Sequence, residues 1–453
     1  MRLKKLFFLP SIENMLFLSI FVYLSINKGM GLLGDGDTGY HIRAGEWILS
    51  HRSVPYHDMF SFLTPPLPWT AHEWLSEIIM ALVHNAFGLT GLSVFFAAIL
   101  ALVSLLLFRM LKREGNNIIV AVFLVLLATI SSQIHWLARP HVFSLLFFLL
   151  WYWILEEYRL RGTNRLYLLP AIMLLWVNLH GGFLAGFMLL CIYLAADLPG
   201  CFARCSELRS EARQRLKSLI IILAICVPVS CINPYGFHIL LFPFNLVSNK
   251  LIMDSVTEFL SPNFHEPSPF KYLILTLVTI LALSRKKLRL VELLLLLVFL
   301  NMSLYSVRYI PLFALVSAPI FMRYIDLLLA DTQGKFSAFL AKKAANFSKI
   351  DASSGGILWP LAAVGTITWL VASGTIQYGF NHKDKPVEAV KFIEKAQIPG
   401  NMFNNDEFGD YVIYAAWPRY KVFFDGRSDM YGSSRLKEYM QIINFEDGWE
   451  NTL

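Results

Sequence analysis

Long apolar runs alternate with short polar segments along most of the chain, up to about residue 380. A bilayer span needs about 17–25 mostly apolar residues, and about eleven runs approach or reach this length, several of them short or interrupted by proline. They lie near residues 1–26, 89–108, 117–138, 142–158, 166–178, 183–197, 218–232, 271–284, 290–307, 310–329 and 357–379. The pattern therefore predicts an all-α polytopic membrane protein.

The first apolar run follows the basic segment Met1–Lys5 and ends near Ile26. A cleaved signal peptide is the alternative interpretation of such a segment. Pro10 and Glu13 interrupt the apolar stretch, however, and no A-x-A cleavage site follows it. We therefore expect a retained first helix.

Lys and Arg are distributed unevenly between the loops on the two sides of these spans. With the N-terminus inside, the inner segments hold 23 of the 39 Lys and Arg residues, the outer loops 7 and the C-terminal tail 9. Because positively charged loops stay in the cytoplasm, this asymmetry predicts the orientation. We expect a multi-pass protein of the bacterial cytoplasmic (inner) membrane, with its tail outside.

Two polar regions lie outside in this topology and divide the chain into a membrane domain and a tail. The membrane domain, residues 1–380, includes a first outer loop over 27–88 with two surface helices. The tail, residues 381–453, is expected to be a small α/β unit. Its predicted helices are Pro386–Ala396 and Glu407–Ala416, and its predicted strands are Met402–Phe403 and Val422–Phe424.

Composition supports the membrane assignment and limits the partners. Hydrophobic residues make up 56% of the chain and charged residues only 16%, which excludes a disordered chain and disfavours a soluble multidomain enzyme. The net charge of +7 follows from the basic inner loops, so no nucleic-acid partner is expected. Membrane lipids are the expected surroundings.

Ionisable residues from distant parts of the chain fall at the outer ends of the predicted spans. Such residues are costly near a bilayer and tend to mark function. They occur in the motifs GDGDTGYHIR, PWTAHEW, LARPH, WVNLHGGF and FFDGRSDMY and at Arg308–Tyr309, and another span ends outside at the polar segment INPYG. Their clustering on one membrane face is the strongest functional indication in the sequence.

The residue types in this cluster suit transfer at a phosphate leaving group. Asp35 and Asp37 flank a flexible glycine and could bind a divalent cation such as Mg or Mn, or one of them could accept a proton from an attacking hydroxyl. Arg139 and Arg308 could neutralise a phosphate through paired hydrogen bonds. No cofactor other than such a cation is expected.

The remaining site candidates are polar neighbours in the same motifs. Imidazoles can donate hydrogen bonds or move protons, and Glu73 could pair with Arg43 or act as a second acid. Structural roles remain open for all of them, since D-G-D and D-G-R also form turns and arginines anchor span ends. The candidates for substrate or phosphate binding are His41, Arg43, His72, Glu73, His141, Asn178, His180, Asp425 and Arg427.

These motifs resemble the GT-C-type membrane glycosyltransferases, a group that includes protein O-mannosyltransferases and the oligosaccharyltransferase catalytic subunit. The shared features are an inside N-terminus, many spans, an acidic motif in a helical first outer loop and an outer tail. The resemblance implies that Asp37 or Asp35 activates the acceptor or binds metal, while Arg139 and Arg308 hold the phosphate. It also implies a polyprenyl-phosphate lipid donor.

The stretches GDGDTGYHIRAGEWIL, PWTAHEWLSE and FFDGRSDMY are also similar to a large group of bacterial membrane proteins described as glycosyltransferase-like. This resemblance implies inverting transfer of a sugar to a glycan, lipid or protein acceptor on the extracytoplasmic face. Two alternatives remain: a non-catalytic partner in envelope polysaccharide assembly, and a transporter or flippase for lipid-linked substrates. A flippase would need polar residues through the bilayer midplane, of which the spans show few.

Overall fold

A computed structural model of the chain describes residues 8–332, 334–354 and 356–451, so Met1–Lys5 lies outside the described residues. The described residues form α-helices joined by short 3-10 turns. The helices are α1 (Ile12–Val22), α2 (Thr38–His51), α3 (Trp74–Glu114), α4 (Ile118–Ser131), α5 (His141–Arg161), α6 (Leu169–Leu179), α7 (Leu184–Asp197), α8 (Ser206–Ser230), α9 (Phe242–Ser248), α10 (Lys250–Ser255), α11 (Pro269–Leu283), α12 (Leu290–Tyr305), α13 (Ile310–Asp331), α14 (Lys335–Ser353), α15 (Leu358–Ala372), α16 (Val387–Ala396), α17 (Asp406–Ala416) and α18 (Ser428–Ile443).

Three of the described helical segments are long and apolar enough to cross a membrane, and six more are apolar but shorter. The long segments are Trp74–Glu114, Gly181–Phe202 and Val307–Asp331. The shorter ones are Ile12–Asn27, Ile118–Ser131, Leu166–Leu179, Pro269–Leu283, Leu290–Tyr305 and Leu358–Ala372. The all-α membrane fold is confirmed, while the count of about eleven spans and their orientation stay predictions.

Helices α3 and α13 run through the middle of the bundle. Nearly every side chain of α13 from Ile310 to Met322 is buried, and α3 packs against α1, α4, α5 and α13. Large side chains such as Trp151 and Trp176 are fully enclosed. Burial of this apolar surface fixes the helix ends, from which the polar motifs project.

The predicted first outer loop contains two helical segments, as expected, joined by a non-helical stretch over 52–73. Helix α2 packs against the first turns of α3, which bends at Gly88, where the backbone has φ +64°. Glycine adopts this left-handed conformation without steric cost. The segment from Trp74 to Gly88 is therefore a second surface helix continuous with the long apolar span.

The tail differs from the predicted α/β unit, because its described residues contain no strand. Helices α16 and α17 match the two predicted ones, and α18 was not predicted. The predicted strand Val422–Phe424 is reduced to one parallel bridge between Val422 and Ser61 of the first loop. A second apolar core joins the tail to that loop; among its members are Ile48, Phe60, Trp69, Tyr411, Ile413 and Val422. The tail thus packs on the first loop.

Candidate active site

The D-G-D motif forms a turn immediately before α2. The backbone N–H of Asp37 donates to Asp35 Oδ1 at 2.8 Å, and Thr38 Oγ1 donates to the carbonyl of Ala138 at 3.2 Å. The second bond ties the turn to the LARPH segment. Asp37 stands at the N-cap of α2, where the helix dipole favours a carboxylate.

Arg139, at the start of α5, binds three carboxylates. Its Nη1 lies 2.6 Å from Asp35 Oδ2 and 2.9 Å from Glu258 Oε1, and its Nη2 lies 2.5 Å from Asp37 Oδ2. The planar guanidinium can bond to several carboxylates at once, and these bonds fix the orientation of both motif carboxylates. Sequence reasoning missed Glu258, because a lone acid in Thr257–Phe259 belongs to no motif.

Arg308 lies on the far side of Glu258 and is held less tightly. Its Nη1 is 3.9 Å from Glu258 Oε2, and its guanidinium stacks over the Phe259 ring at 5.2 Å. Its carbonyl is 2.8 Å from Nε2 of His135, another residue that the sequence did not indicate. Burial opposes ionisation of Glu258, but Arg139 and Arg308 together lower its pKa. Arg308 therefore keeps donors for an incoming anion.

The tail contributes Asp410 of α17, which packs beside the D-G-D turn. The N–H of Gly426 donates to Asp410 Oδ1 at 3.0 Å. A Cβ on Gly426 would lie 2.2 Å from Asp37 Oδ1 and 2.9 Å from Asp410 Oδ2. Only glycine fits this contact, which explains the glycine of the D-G-R motif.

Crowding of carboxylates in a buried setting changes their acidity. Burial, opposed by Arg139 and assisted by Asp35 and Glu258, raises the pKa of Asp37 to about 7. Burial and the neighbouring Asp37 also raise the pKa of Asp410 well above its usual range. A carboxylate with a pKa near neutrality is suited to accept a proton in general base catalysis.

A second polar group surrounds Glu73, which immediately precedes α3. Its Oε1 accepts from the N–H of Gly181 at 3.2 Å and lies 3.7 Å from Nε2 of both His72 and His180, while Oε2 lies 4.0 Å from Nε2 of His41. Burial raises the pKa of Glu73 and lowers the pKa values of His41 and His180. The structure thus gathers residues from three predicted motifs.

The protonation of His180 follows from its hydrogen bonds. Its Nδ1 accepts from the N–H of Gly182 at 2.9 Å and lies 2.7 Å from Ser144 Oγ. The proton of the neutral ring is therefore on Nε2, which faces Glu73. His141 stands behind this group, with its ring centre 6.3 Å from that of His180 and its Nε2 3.1 Å from the carbonyl of His135.

Asn178, predicted to bind substrate, is occupied by bonds within the protein. Its Oδ1 accepts from Trp74 Nε1 at 2.7 Å, and its Nδ2 donates to the carbonyls of Leu174 and Ile232 at 2.8 and 2.9 Å. These bonds use both amide protons. The geometry favours a structural role, in which Asn178 joins the HEW, WVNLHGG and INPYG segments.

Arg43, also predicted to bind substrate, bonds to partners within the protein. Its Nη1 donates to Glu46 at 2.7 Å and its Nε to the carbonyl of Tyr414 at 2.7 Å, so it joins α2 to α17 instead of pairing with Glu73. The pairing of Arg43 with Glu73, one of the two possibilities for Glu73, is not seen, because Arg43 bonds to Glu46 and Tyr414 while Glu73 faces histidines and Gly181.

Asp425 and Arg427 form a buried ion pair. Arg427 Nη2 lies 2.7 Å from Asp425 Oδ2 and 2.8 Å from Asp58 Oδ1, and its guanidinium stacks over Phe60 and Trp69 at 4.9 and 4.6 Å. Side-chain exposure is about 1% or less for all three charged groups. This geometry favours a structural role that fastens the tail to the first loop, in place of the predicted contact with substrate.

The predicted divalent-cation site at Asp35 and Asp37 does not fit the arrangement of these side chains. Both carboxylates already bond to Arg139, and the described part of the chain contains no group of three His, Cys, Asp or Glu residues placed to hold a metal. A cation would have to displace the guanidinium. Mg or Mn binding stays a prediction.

The structure is similar to that of the archaeal oligosaccharyltransferase AglB from Archaeoglobus fulgidus, solved in complex with an inhibitory peptide and a dolichol-phosphate. The TM-score is 0.53 with 14% sequence identity, over 90% of this chain and 59% of that one. The two proteins share a fold. This supports the GT-C-like architecture that the motifs predicted. No protein-family model and no curated protein matches the chain.

Proposed function

We propose that this membrane protein is a glycosyltransferase that moves a sugar from a polyprenyl-phosphate donor to an acceptor on the extracytoplasmic face. The observation that carries the proposal is the meeting of Asp35 and Asp37 with Arg139 and Arg308 at one end of an apolar helical bundle. The AglB structure contains a dolichol-phosphate and a peptide, which supports a lipid-linked donor and a glycan, lipid or protein acceptor.

In the proposed reaction, an acceptor hydroxyl oxygen attacks the anomeric carbon of the sugar and transfers its proton to the Asp37 carboxylate. The bond between that carbon and the phosphate oxygen breaks, and the phosphate leaves with the electron pair. Attack opposite the leaving group inverts the anomeric carbon. The raised pKa of Asp37, about 7, matches a base that works near neutral pH.

The two arginines take different parts in this scheme. Arg139 is shared among three carboxylates, so it positions Asp35 and Asp37. Arg308 has one distant carboxylate contact, at 3.9 Å, and is the main group proposed to neutralise the leaving phosphate. His72 and His180, each partly exposed beside Glu73, are proposed to donate hydrogen bonds to the sugar.

The proposal is tested by transfer of labelled sugar from synthetic polyprenyl-phosphate donors in membranes that contain the full chain. Asp37→Asn removes the base and is expected to lower transfer by about 10²–10⁴-fold. Asp447→Asn, an exposed tail acid, serves as the matched control and should retain full transfer. Full activity of Asp37→Asn would show that Asp37 is not the base.

A further inference from the structure

A polar cavity lies at the other end of the helices that carry the candidate active site. Helices α12 and α13 form a hairpin with Arg308 at its turn, and the cavity lies beside Arg289 and Arg323 at the open end. Fifteen helical residues separate Arg308 from Arg323, about 22 Å along the axis. In the predicted orientation this end faces the cytoplasm.

The cavity has a volume of about 320 Å³ and a lining dominated by charge. This volume lies at the lower end of the range for ligand pockets, about 300–1,000 Å³. It therefore suits a group the size of a lipid headgroup. Its charged lining residues are Glu114, Lys286, Lys287, Arg289, Arg323 and Asp326.

The inner wall of this cavity holds one arginine that is bonded to three carboxylates. Arg323 Nη2 lies 2.6 Å from Glu114 and 3.1 Å from Glu156, and Arg323 also bonds to Glu292. These three carboxylates are almost fully buried. One guanidinium among three carboxylates leaves this wall without spare positive charge, so the cations at the mouth are the groups that can meet an anion.

The mouth, in contrast, presents cations without counter-ions. Lys286, Lys287 and Arg289 are exposed on the short loop between α11 and α12. Within the described residues, none of the three has a carboxylate within ion-pair distance. Three cations without carboxylate partners therefore stand at the mouth of the cavity, and such a cluster concentrates anions.

We propose that this cavity binds a phosphate group, with Lys286, Lys287 and Arg289 as the recognising cations. The source of the phosphate is the headgroup of an anionic phospholipid or a small phosphate compound of the cytosol. Basic pockets between helices on the cytoplasmic side of membrane proteins recognise phosphorylated headgroups in this way. The site is independent of the proposed transfer reaction, because it lies at the opposite end of α12 and α13.

The test is a binding titration of the full chain in detergent with three probes: dioctanoyl phosphatidylglycerol, dioctanoyl phosphatidylcholine and inorganic phosphate. The combined variant K286Q, K287Q and R289Q removes the three cations. Arg285→Gln is the matched control, since Arg285 is exposed on the same loop but does not line the cavity. All four substitutions are at exposed positions, so folding should be preserved.

Loss of charge-assisted bonds is expected to weaken binding of the anionic probe by about tenfold or more in the combined variant, and less than about twofold in Arg285→Gln. If only phosphatidylglycerol binding is lost, the phosphate comes from a lipid headgroup. If binding of inorganic phosphate is lost, the phosphate comes from a soluble compound. The proposal is overturned if the combined variant binds as wild type does, if Arg285→Gln loses as much, or if phosphatidylcholine binds as tightly as phosphatidylglycerol.

Discussion

Two arginines, one at each end of the helical bundle, each bind three carboxylates, and they differ in what surrounds them. Arg323 holds Glu114, Glu156 and Glu292, whose side chains are 4%, 3% and 1% exposed. Arg139 holds Asp35, Asp37 and Glu258, which are 20%, 14% and 23% exposed. The same pairing is thus enclosed at one end and accessible at the other.

The difference separates a structural cluster from a candidate active site. Around Arg323 the carboxylates also bond to Tyr193 and Tyr324, which completes their hydrogen bonding. Around Arg139 there is a second arginine, Arg308, and an additional buried acid, Asp410. Because these side chains keep partial exposure and a second arginine stands beside them, they can change partners when a substrate arrives.

The largest effect on stability is expected from Arg323→Met. It leaves the buried Glu156 and Glu292 without a cation and Glu114 with Arg161 alone, which costs about 3–5 kcal/mol in comparable buried clusters. Thermal unfolding in detergent should show a much lower midpoint. Arg109→Ala, which removes the exposed pair with Glu13, should change it little. Equal midpoints for wild type and Arg323→Met would show that the cluster is not structural.

A smaller effect is expected from Gly426→Ala, which would force a methyl group between Asp37 and Asp410. Overpacking of this kind costs about 1–3 kcal/mol and should separate the two acids, so transfer activity should fall as well. Gly379→Ala is the control, because a Cβ there meets no atom within 4 Å. Normal activity of Gly426→Ala would argue against a role for the tail in the site.

The pH dependence gives a sharper test of Asp37. Only the carboxylate can accept a proton, so transfer should be lost as the pH falls through about 7 and should reach a plateau above it. Because Arg139 lowers the pKa of Asp37, Arg139→Gln should move the acidic limb of the pH–activity profile to higher pH. If the acidic limb of the Arg139→Gln profile lies at the same pH as in wild type, Arg139 is not the positioning residue.

The smallest effect is expected on the stability of Arg139→Gln, roughly 1 kcal/mol, because its carboxylates are partly hydrated. Thermal unfolding midpoints of Arg139→Gln and Arg323→Met, measured together, give the difference in stability between the two clusters directly. A loss as large as that of Arg323→Met would remove the distinction between the two clusters.

The sequence was sufficient to predict the helical membrane fold, and the structure brings several of the predicted motifs together at one end of the helices. Apolar runs indicate helices, and motif residues such as Asp37 and Arg139 can be recognised from the few residues around them. Glu258 and Asp410 could not be predicted, since each is a single acid that only folding brings to the site. The tail strands were predicted wrongly because the apolar segment at Val422 packs on the first loop instead of pairing within a sheet.

Buried polar residues were the other source of error. Asn178, Asp425 and Arg427 lie in motifs that also contain site residues, but they bond to partners inside the protein. A sequence does not distinguish a polar group that is satisfied internally from one that faces a substrate. The contacts of each side chain decide between the two.

The central claim, that Arg139 and Arg308 mark a site for a polyprenyl-phosphate donor, is tested most directly by native mass spectrometry of co-purified lipid. Wild type is compared with Arg308→Ala, Arg139→Ala and the exposed control Arg419→Ala. The account predicts a retained polyprenyl phosphate or its glycosyl form in wild type and the control, lost in Arg308→Ala and reduced in Arg139→Ala. The same bulk phospholipid in all four proteins, with no polyprenyl phosphate, would contradict it.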